Sequence, residues 1–396
     1  MIHTLRINGF KTLSQDTAIP LGRVNCFIGA NGVGKSNILE ALGVISAAAN
    51  GVINDESLLR RGVRAGLPRL YKSSFANQRT PAHIGIGVES AQDAAYRVSL
   101  LNPLDAPEPA WTYKTEVLST AQTEIISKGV RNQKHLNPQA GLAALKMVEL
   151  LPEDPAAQLL HALQHYAIYT PNTPALRSIV PDQQSRRPLG LNGGQLAEGF
   201  DLLRKHLSEQ GELGEEHLAQ VLDLIDWVSD INMTAQVGAL LSPEVPRTKY
   251  ALKFTDRFMN KSRNELTAYD ASEGALYILF TAILCLLPQS PAIFAIDNLD
   301  QALNPRLLAR LVQRLSGWLD AHDTPKQLLF TAHNPAVLDG LDLSNPDIRL
   351  FAVERDNHGL TEIRRIELTP ELQQLNQTYP LSRLWLMGHL GAVPNV

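Results

Sequence analysis

Apolar and polar residues alternate over 2–8 (IHTLRIN), which predicts an edge strand, whereas 24–28 (VNCFI) is an almost unbroken apolar run, as a strand covered on both faces requires. From 37 to 42 (NILEAL) the apolar residues recur at helical spacing and open a helix that ends near Gly51. Strand-like runs at 83–88 and 95–101 suggest an antiparallel layer. The pattern weakens between 111 and 155, where Pro and Asn interrupt a helical stretch over 141–151. It returns as a core element at 161–170, breaks in the polar, Pro- and Gly-rich loop 171–194, and is mostly helical over 200–230. Helix 274–287, buried strand 292–296, helix 305–319 and strand 327–331 then alternate as in an α/β sheet. The expected fold class is α/β, with a mixed sheet, an antiparallel layer and a helical lobe. Residues 1–110 and 240–396 would be the two halves of one head, and 111–239 a mostly helical insertion.

Composition narrows this picture. A chain of 396 residues with 44% hydrophobic content can bury a large core. A net charge of -4 and a pI near 6.3 exclude a generally basic nucleic-acid coat, so any such contact must be local. The one concentrated basic stretch is 60–79, with Arg60, Arg61, Arg64, Arg69, Lys72 and Arg79 and no acidic residue. It is either a solvated face or a candidate DNA contact, and Arg186 with Arg187 is a weaker second candidate. Cys26 and Cys285 have no metal-binding spacing and indicate no disulfide framework, which fits a reducing cytoplasm. The longest apolar run, 275–287, is too short to span a bilayer and reads as a buried helix; no membrane partner is expected.

The strongest chemical signal lies between the strand at 24–28 and the helix at 37. Residues 29–36, GANGVGKS, form a complete GxxxxGKS run. Gly29, Gly32 and Gly34 let the backbone turn tightly and aim successive N–H groups at phosphate oxygens, with Asn31 and Asn37 alongside, and the positive end of the next helix adds to the field. Lys35 would reach the β and γ phosphates of ATP, and the Ser36 hydroxyl would hold Mg2+.

The second half supplies complementary groups. In AIFAID the buried strand ends on Asp297, placed to organise Mg2+ beside Ser36. Leu328 to Thr331 leads to His333 in TAHNP, where an imidazole just past a strand tip can sense a γ phosphate. Ser272 and Gly274 sit at a helix N-terminus, which favours an anion; Ser is also a common N-cap.

These residues carry a resemblance. The opening LRINGFKTL, GANGVGKSNILEAL, DASEGALYIL, AIFAIDNLDQALNP and TAHNPAVLDGLDL together resemble an ABC-type ATPase of the RecF, SMC and OLD group. They are most similar to the stand-alone AAA-family proteins that accompany antiviral or toxin modules. The resemblance implies a P-loop NTPase head of ABC type that forms a homodimer or a higher even oligomer. Ser272 and Gly274 of one copy would then cap the γ phosphate held by the loop of the other. Asp297 would be the Mg2+-organising carboxylate and His333 the switch histidine. Where the family usually places its water-polarising glutamate, this chain has Asn298. An amide cannot take a proton as a carboxylate does, and loss of a general base commonly removes about 10² to 10⁴ in rate. Slow hydrolysis is therefore expected, with Asp300 or His333 as partial substitutes.

No second cluster of acidic residues or HExxH motif appears, and the sequence ends shortly after its ATPase motifs, so effector chemistry is expected from a separate nuclease or toxin subunit. The tail 381–391 is either a packed terminal helix or a docking element for it. Three roles follow: an ATPase acting in DNA-related defence or repair, a nucleotide-gated scaffold without hydrolysis, and, disfavoured by the lack of an LSGGQ signature, a transporter ATPase.

Overall fold

The computed structural model describes the chain except for residues 77, 103–109, 127–136, 183, 185, 237–239, 246–248, 323–325 and 393–396. The chain opens with β1 (Ile2–Asn8), β2 (Thr17–Pro20), β3 (Val24–Ile28), α1 (Lys35–Ala49) and α2 (Asp55–Leu59). Then come β4 (Ile84–Ser90), β5 (Ala95–Leu101), β6 (Thr112–Ser119), β7 (Glu124–Ile126), α3 (Ala143–Lys146) and α4 (Pro155–Gln164). The middle holds β8 (Ile168–Tyr169), α5 (Thr173–Leu176), α6 (Leu196–Glu209), α7 (Glu212–Leu224), β9 (Val228–Thr234), β10 (Ala251–Asp256) and β11 (Glu265–Thr267). The last part is α8 (Glu273–Leu286), β12 (Ile293–Ile296), α9 (Pro305–Asp320), β13 (Gln327–Ala332), β14 (Ile348–Arg355), β15 (Thr361–Ile366), α10 (Pro370–Asn376) and α11 (Leu381–Leu386).

One sheet runs β15-β14-β3-β13-β12-β8, parallel except for the β14–β15 hairpin. A second, antiparallel sheet runs β2-β1-β4-β5-β6-β7, and a small one β11-β10-β9. The expected edge position of β1 is corrected here: β1 pairs with both β2 and β4, and the short β2, ending at Pro20, takes the edge. Alternation in β1 reflects one core-facing side, which an interior antiparallel strand also shows.

The parallel sheet is covered on both faces, which is why its strands are apolar throughout. In β3, Val24, Cys26 and Ile28 join one core cluster and Phe27 the other. The same split recurs in β13, with Leu328 and Phe330 on one side and Leu329 on the other. Helix α1 lies in the layer between this sheet and the antiparallel one, so every residue of it but Ser36 is buried. On the opposite face α8 is buried almost all round, while α9 buries only the stripe Leu308, Leu311, Val312, Leu315, Trp318 and Leu319.

The stretch expected as a helical insertion is shared out over this frame. Strands β6 and β7 extend the antiparallel sheet, β8 pairs with β12, α4 packs with α1, and α6 and α7 join the cluster around α8. The tail packs through Leu381, Leu384 and Trp385 and leaves Leu386 and Met387 exposed. No helix among the described residues is long and apolar enough to cross a membrane.

Candidate functional site

The loop 29–36 joins the C-terminal end of β3 to α1, at the carboxyl edge of the parallel strands where α/β sheets bind ligands. Gly29 and Gly34 have φ of 149° and 111°, and a Cβ at Gly34 would meet Thr361 Oγ1 at 2.4 Å and Thr12 Oγ1 at 2.6 Å. Gly34 caps α1 without a side-chain hydrogen bond, so the first N–H groups of the helix stay available to an anion. Thr361 Oγ1, 2.6 Å from both Val33 O and Thr12 Oγ1, pins the loop from β15.

Lys35 is buried and donates from Nζ to Gly29 O at 2.7 Å and Ala30 O at 2.8 Å, and it lies 3.3 Å from His333 Nδ1. Burial pushes its ammonium down to about 8, against the pull of Asp297 and Asp300. Ser36 Oγ contacts the Asp297 carboxylate at 2.9 Å. A hydroxyl facing a carboxylate is the oxygen donor set that Mg2+ takes, the rest of its shell coming from water and phosphate. Among the described residues no group of three or more His, Cys, Asp or Glu could hold a metal by itself.

At the tip of β12, Asn298 has φ of 60°, a left-handed conformation that asparagine tolerates better than glutamate. Its Oδ1 is 3.1 Å from His333 Nε2. Burial first, then Lys35, lowers the His333 pKa, so the ring is neutral near pH 7, with Nε2–H donating to Asn298 and Nδ1 facing the Lys35 ammonium. Asp300 Oδ2 accepts from His333 N at 2.8 Å and Asn334 N at 2.6 Å and so fixes the turn after β13.

The fold thus gathers Lys35, Ser36, Asp297, Asn298, Asp300 and His333 around one loop. Asn31 and Gly32 are exposed on it, whereas the Asn37 amide is buried, donating to Thr12 Oγ1 at 2.8 Å and accepting from Arg64 at 3.2 Å. Exposed Ser272 caps α8, accepting from Ala275 N, and Gly274 packs beside Ala302 and Leu307; their contacts are with neighbours of α8 and α9, apart from the loop of the same chain.

Two buried polar residues near the loop are assigned no role by the motifs. Thr331, fully buried, has its hydroxyl 2.6 Å from Asp297 Oδ1 and accepts from Asn298 N at 2.8 Å. Its signal is a lone polar residue in the apolar run LLFTA. Glu40, an acid inside an apolar helix, is 2% exposed and is closed by Lys11 and by Arg64 Nε at 2.6 Å. Burial pushes the Glu40 carboxyl up, but hydrogen bonds and charge from Arg64 and Lys11 outweigh it and hold it below the usual range.

The basic stretch 60–79 is divided. Arg61 and Lys72 are buried, Lys72 donating to Ala82 O at 2.8 Å, so neither adds its charge to an open outer face. Arg60 pairs with Glu56 and Arg64 with Glu40, while Arg69 and Arg79 are exposed.

Family comparisons agree with this geometry. Residues 1–64 match the model described as "AAA ATPase domain", and 162–339 match "AAA domain, putative AbiEii toxin, Type IV TA system". The DNA replication and repair protein RecF of Renibacterium salmoninarum is 29% identical over 137 residues, which is 34% of this chain and 33% of RecF; the match thus spans about a third of that relative. An SMC head solved bound to the C-terminal winged-helix domain of ScpA matches 94% of this chain and 99% of its own at 13% identity, with a TM-score of 0.55. A head with an extended coiled coil bound to the C-terminal domain of ScpA, derived from Pyrococcus furiosus, covers 95% and 99% at 13% identity, with a TM-score of 0.51. The chain thus matches AAA-family ATPase domains over 1–64 and 162–339, is similar to RecF over a third of its length, and has the fold of an SMC head.

Proposed function

We propose that this chain binds ATP with Mg2+ in the 29–36 loop, that two copies close head to tail over two nucleotides, and that hydrolysis is slow. The carrying observation is the cluster of Lys35, Ser36, Asp297 and His333 with an amide, Asn298, at the water-facing position. Bound Mg2+ supplies charge neutralisation on the β and γ phosphates. The α1 N–H groups and Lys35 hold the phosphates, exchanging the contacts to Gly29 O and Ala30 O. Ser36 and Asp297 orient the metal, and the neutral His333 reads the γ phosphate from Nε2 or Nδ1 as Asn298 and Lys35 release it. Exposed Ser272 and half-buried Gly274, apart from the loop of their own chain, would cap the nucleotide of a second copy.

Slow turnover favours long-lived closure as the signal, read by a separate effector subunit, a nuclease or toxin. The names of the relatives, a repair protein and a putative toxin AAA domain, support a DNA-repair or toxin-linked role, and we place that role in antiphage defence or repair in the cytoplasm. Arg69 and Arg79 are the exposed cations left for DNA in the basic stretch, with Arg60 and Arg64 already paired.

Single-turnover ATP cleavage tests this reading. The expected rate is well below one per second, rising at least about tenfold in Asn298→Asp, which restores a carboxylate with a residue that tolerates the positive φ. Wild-type turnover of many per second sinks the proposal. Asn298→Glu carries about 1 kcal/mol of backbone strain and is the less clean variant.

A further inference from the structure

Far from the loop, at the C-terminal end of α1, a cavity of about 800 Å³ brings Arg60 and Arg61 together with Arg186 from the loop before α6, more than a hundred residues away in sequence. Glu56 is the only carboxylate lining it among the described residues, and Glu56 pairs with Arg60. Among the described residues the other two guanidiniums meet only neutral acceptors. Arg61, 7% exposed, donates from Nε to Ser46 Oγ and from Nη1 to Ser57 O, each at 2.7 Å, and Nη2 lies 3.5 Å from Gln164 O. Arg186 donates to His165 O and lies 3.5 Å from Tyr166 O. Each guanidinium has more N–H donors than these contacts use.

Capping the ends of α1 and α4 accounts for part of this arrangement. It does not balance the charge. Three arginines against one glutamate leave two positive charges, and two helix C-termini return roughly half a charge each. Burial first, then the neighbouring Arg186 and Arg60, push the Arg61 guanidinium down to about 10. The cavity has the size of a small-molecule site, and Asn50, Asn54 and Gln164 add polar groups to the arginine forks that suit phosphate oxygens.

We infer that this cavity is a second ligand site, separate from the 29–36 loop, that takes a small phosphate-bearing molecule through Arg61 and Arg186. Its occupant would sit against Asn50, the C-cap of the helix whose other end carries Lys35. The inference does not depend on ATP binding at the loop.

The test uses the full chain carrying Lys35→Ala, so that the loop does not dominate, titrated with inorganic pyrophosphate at low salt without Mg2+ and followed by calorimetry and thermal melting. One pyrophosphate is expected to bind and raise the melting temperature. Adding Arg186→Gln should weaken it roughly tenfold or more, with Arg186→Lys in between. Arg61→Gln, if its melt shows a folded chain, should do the same. No binding to the Lys35→Ala chain overturns the proposal, as does binding unchanged by Arg186→Gln. Loss of duplex-DNA binding in Arg186→Gln without any pyrophosphate binding also overturns it and makes the cavity part of a nucleic-acid face. If Lys35→Ala leaves ATP binding intact, the loop reading fails while the Arg186 variants still decide the cavity.

Discussion

Cations meet the fold in two different ways on either side of α1. Lys11 and the more exposed Arg64 close on the buried Glu40, so that the buried carboxylate has its counter-charge within the protein. Lys35, one turn earlier on the same helix, donates only to carbonyls of its own loop beside a neutral imidazole, although it is just as buried. The first arrangement is complete without a ligand and serves stability. The second holds an ammonium whose hydrogen bonds are readily exchanged for phosphate oxygens. A matched buried charge marks structure, and a buried charge held only by neutral partners marks a place where an anion fits.

Separating stability from binding at these two positions would break the contrast. Glu40→Ala strands Lys11 and Arg64 and is expected to lower stability by about 3–5 kcal/mol in urea or thermal unfolding. Lys35→Ala should change stability by less than about 1 kcal/mol, because a buried, partly disfavoured ammonium is removed, yet weaken ATP roughly hundredfold in an equilibrium titration. If both variants lose stability equally, the distinction fails.

Smaller effects sharpen it. Thr331→Val, nearly equal in volume, removes the hydroxyl that joins Asp297 to Asn298 and should cost about 2 kcal/mol. It should also raise the Mg2+ concentration needed for half-maximal nucleotide binding, which Thr331→Ser restores; loss of stability with unchanged Mg2+ dependence would leave Thr331 a packing residue only. ATP affinity should fall as pH rises above about 8, since the loop needs a charged Lys35. The stability linkage has the opposite sense. The folded-state pKa lies below the unfolded 10.5, so this contribution is full above 10.5 and declines as pH falls through about 8. Affinity flat between pH 7 and 9.5 contradicts the assignment. Least affected is Arg69→Gln, an exposed site expected within about 0.5 kcal/mol of wild type in stability; an unchanged salt slope for DNA would remove Arg69 from any nucleic-acid contact.

Much of the head is legible from residue order. Strand β3, the loop and α1 are contiguous, so glycine placement and apolar runs suffice to read them, and β12 and β13 announce themselves by unbroken hydrophobicity. Strands β9 to β11 and β15 carry no clear signal in residue order, because their half-buried patterns resemble those of neighbouring helices and loops.

The sequence alone determined the class of chemistry: a phosphate loop, a strand-end aspartate, and an amide where an acid is expected. These are fixed by residue identity at short range, where backbone geometry leaves little choice. Only the tertiary structure decided which charges are spent inside the fold. It tied Asp300 to the backbone of the following turn, buried Arg61 and Lys72 out of an apparently continuous basic run, and set Arg186 beside Arg61 across more than a hundred residues. Charge pairing depends on distances through space and on burial, and neither is written in the order of residues along the chain.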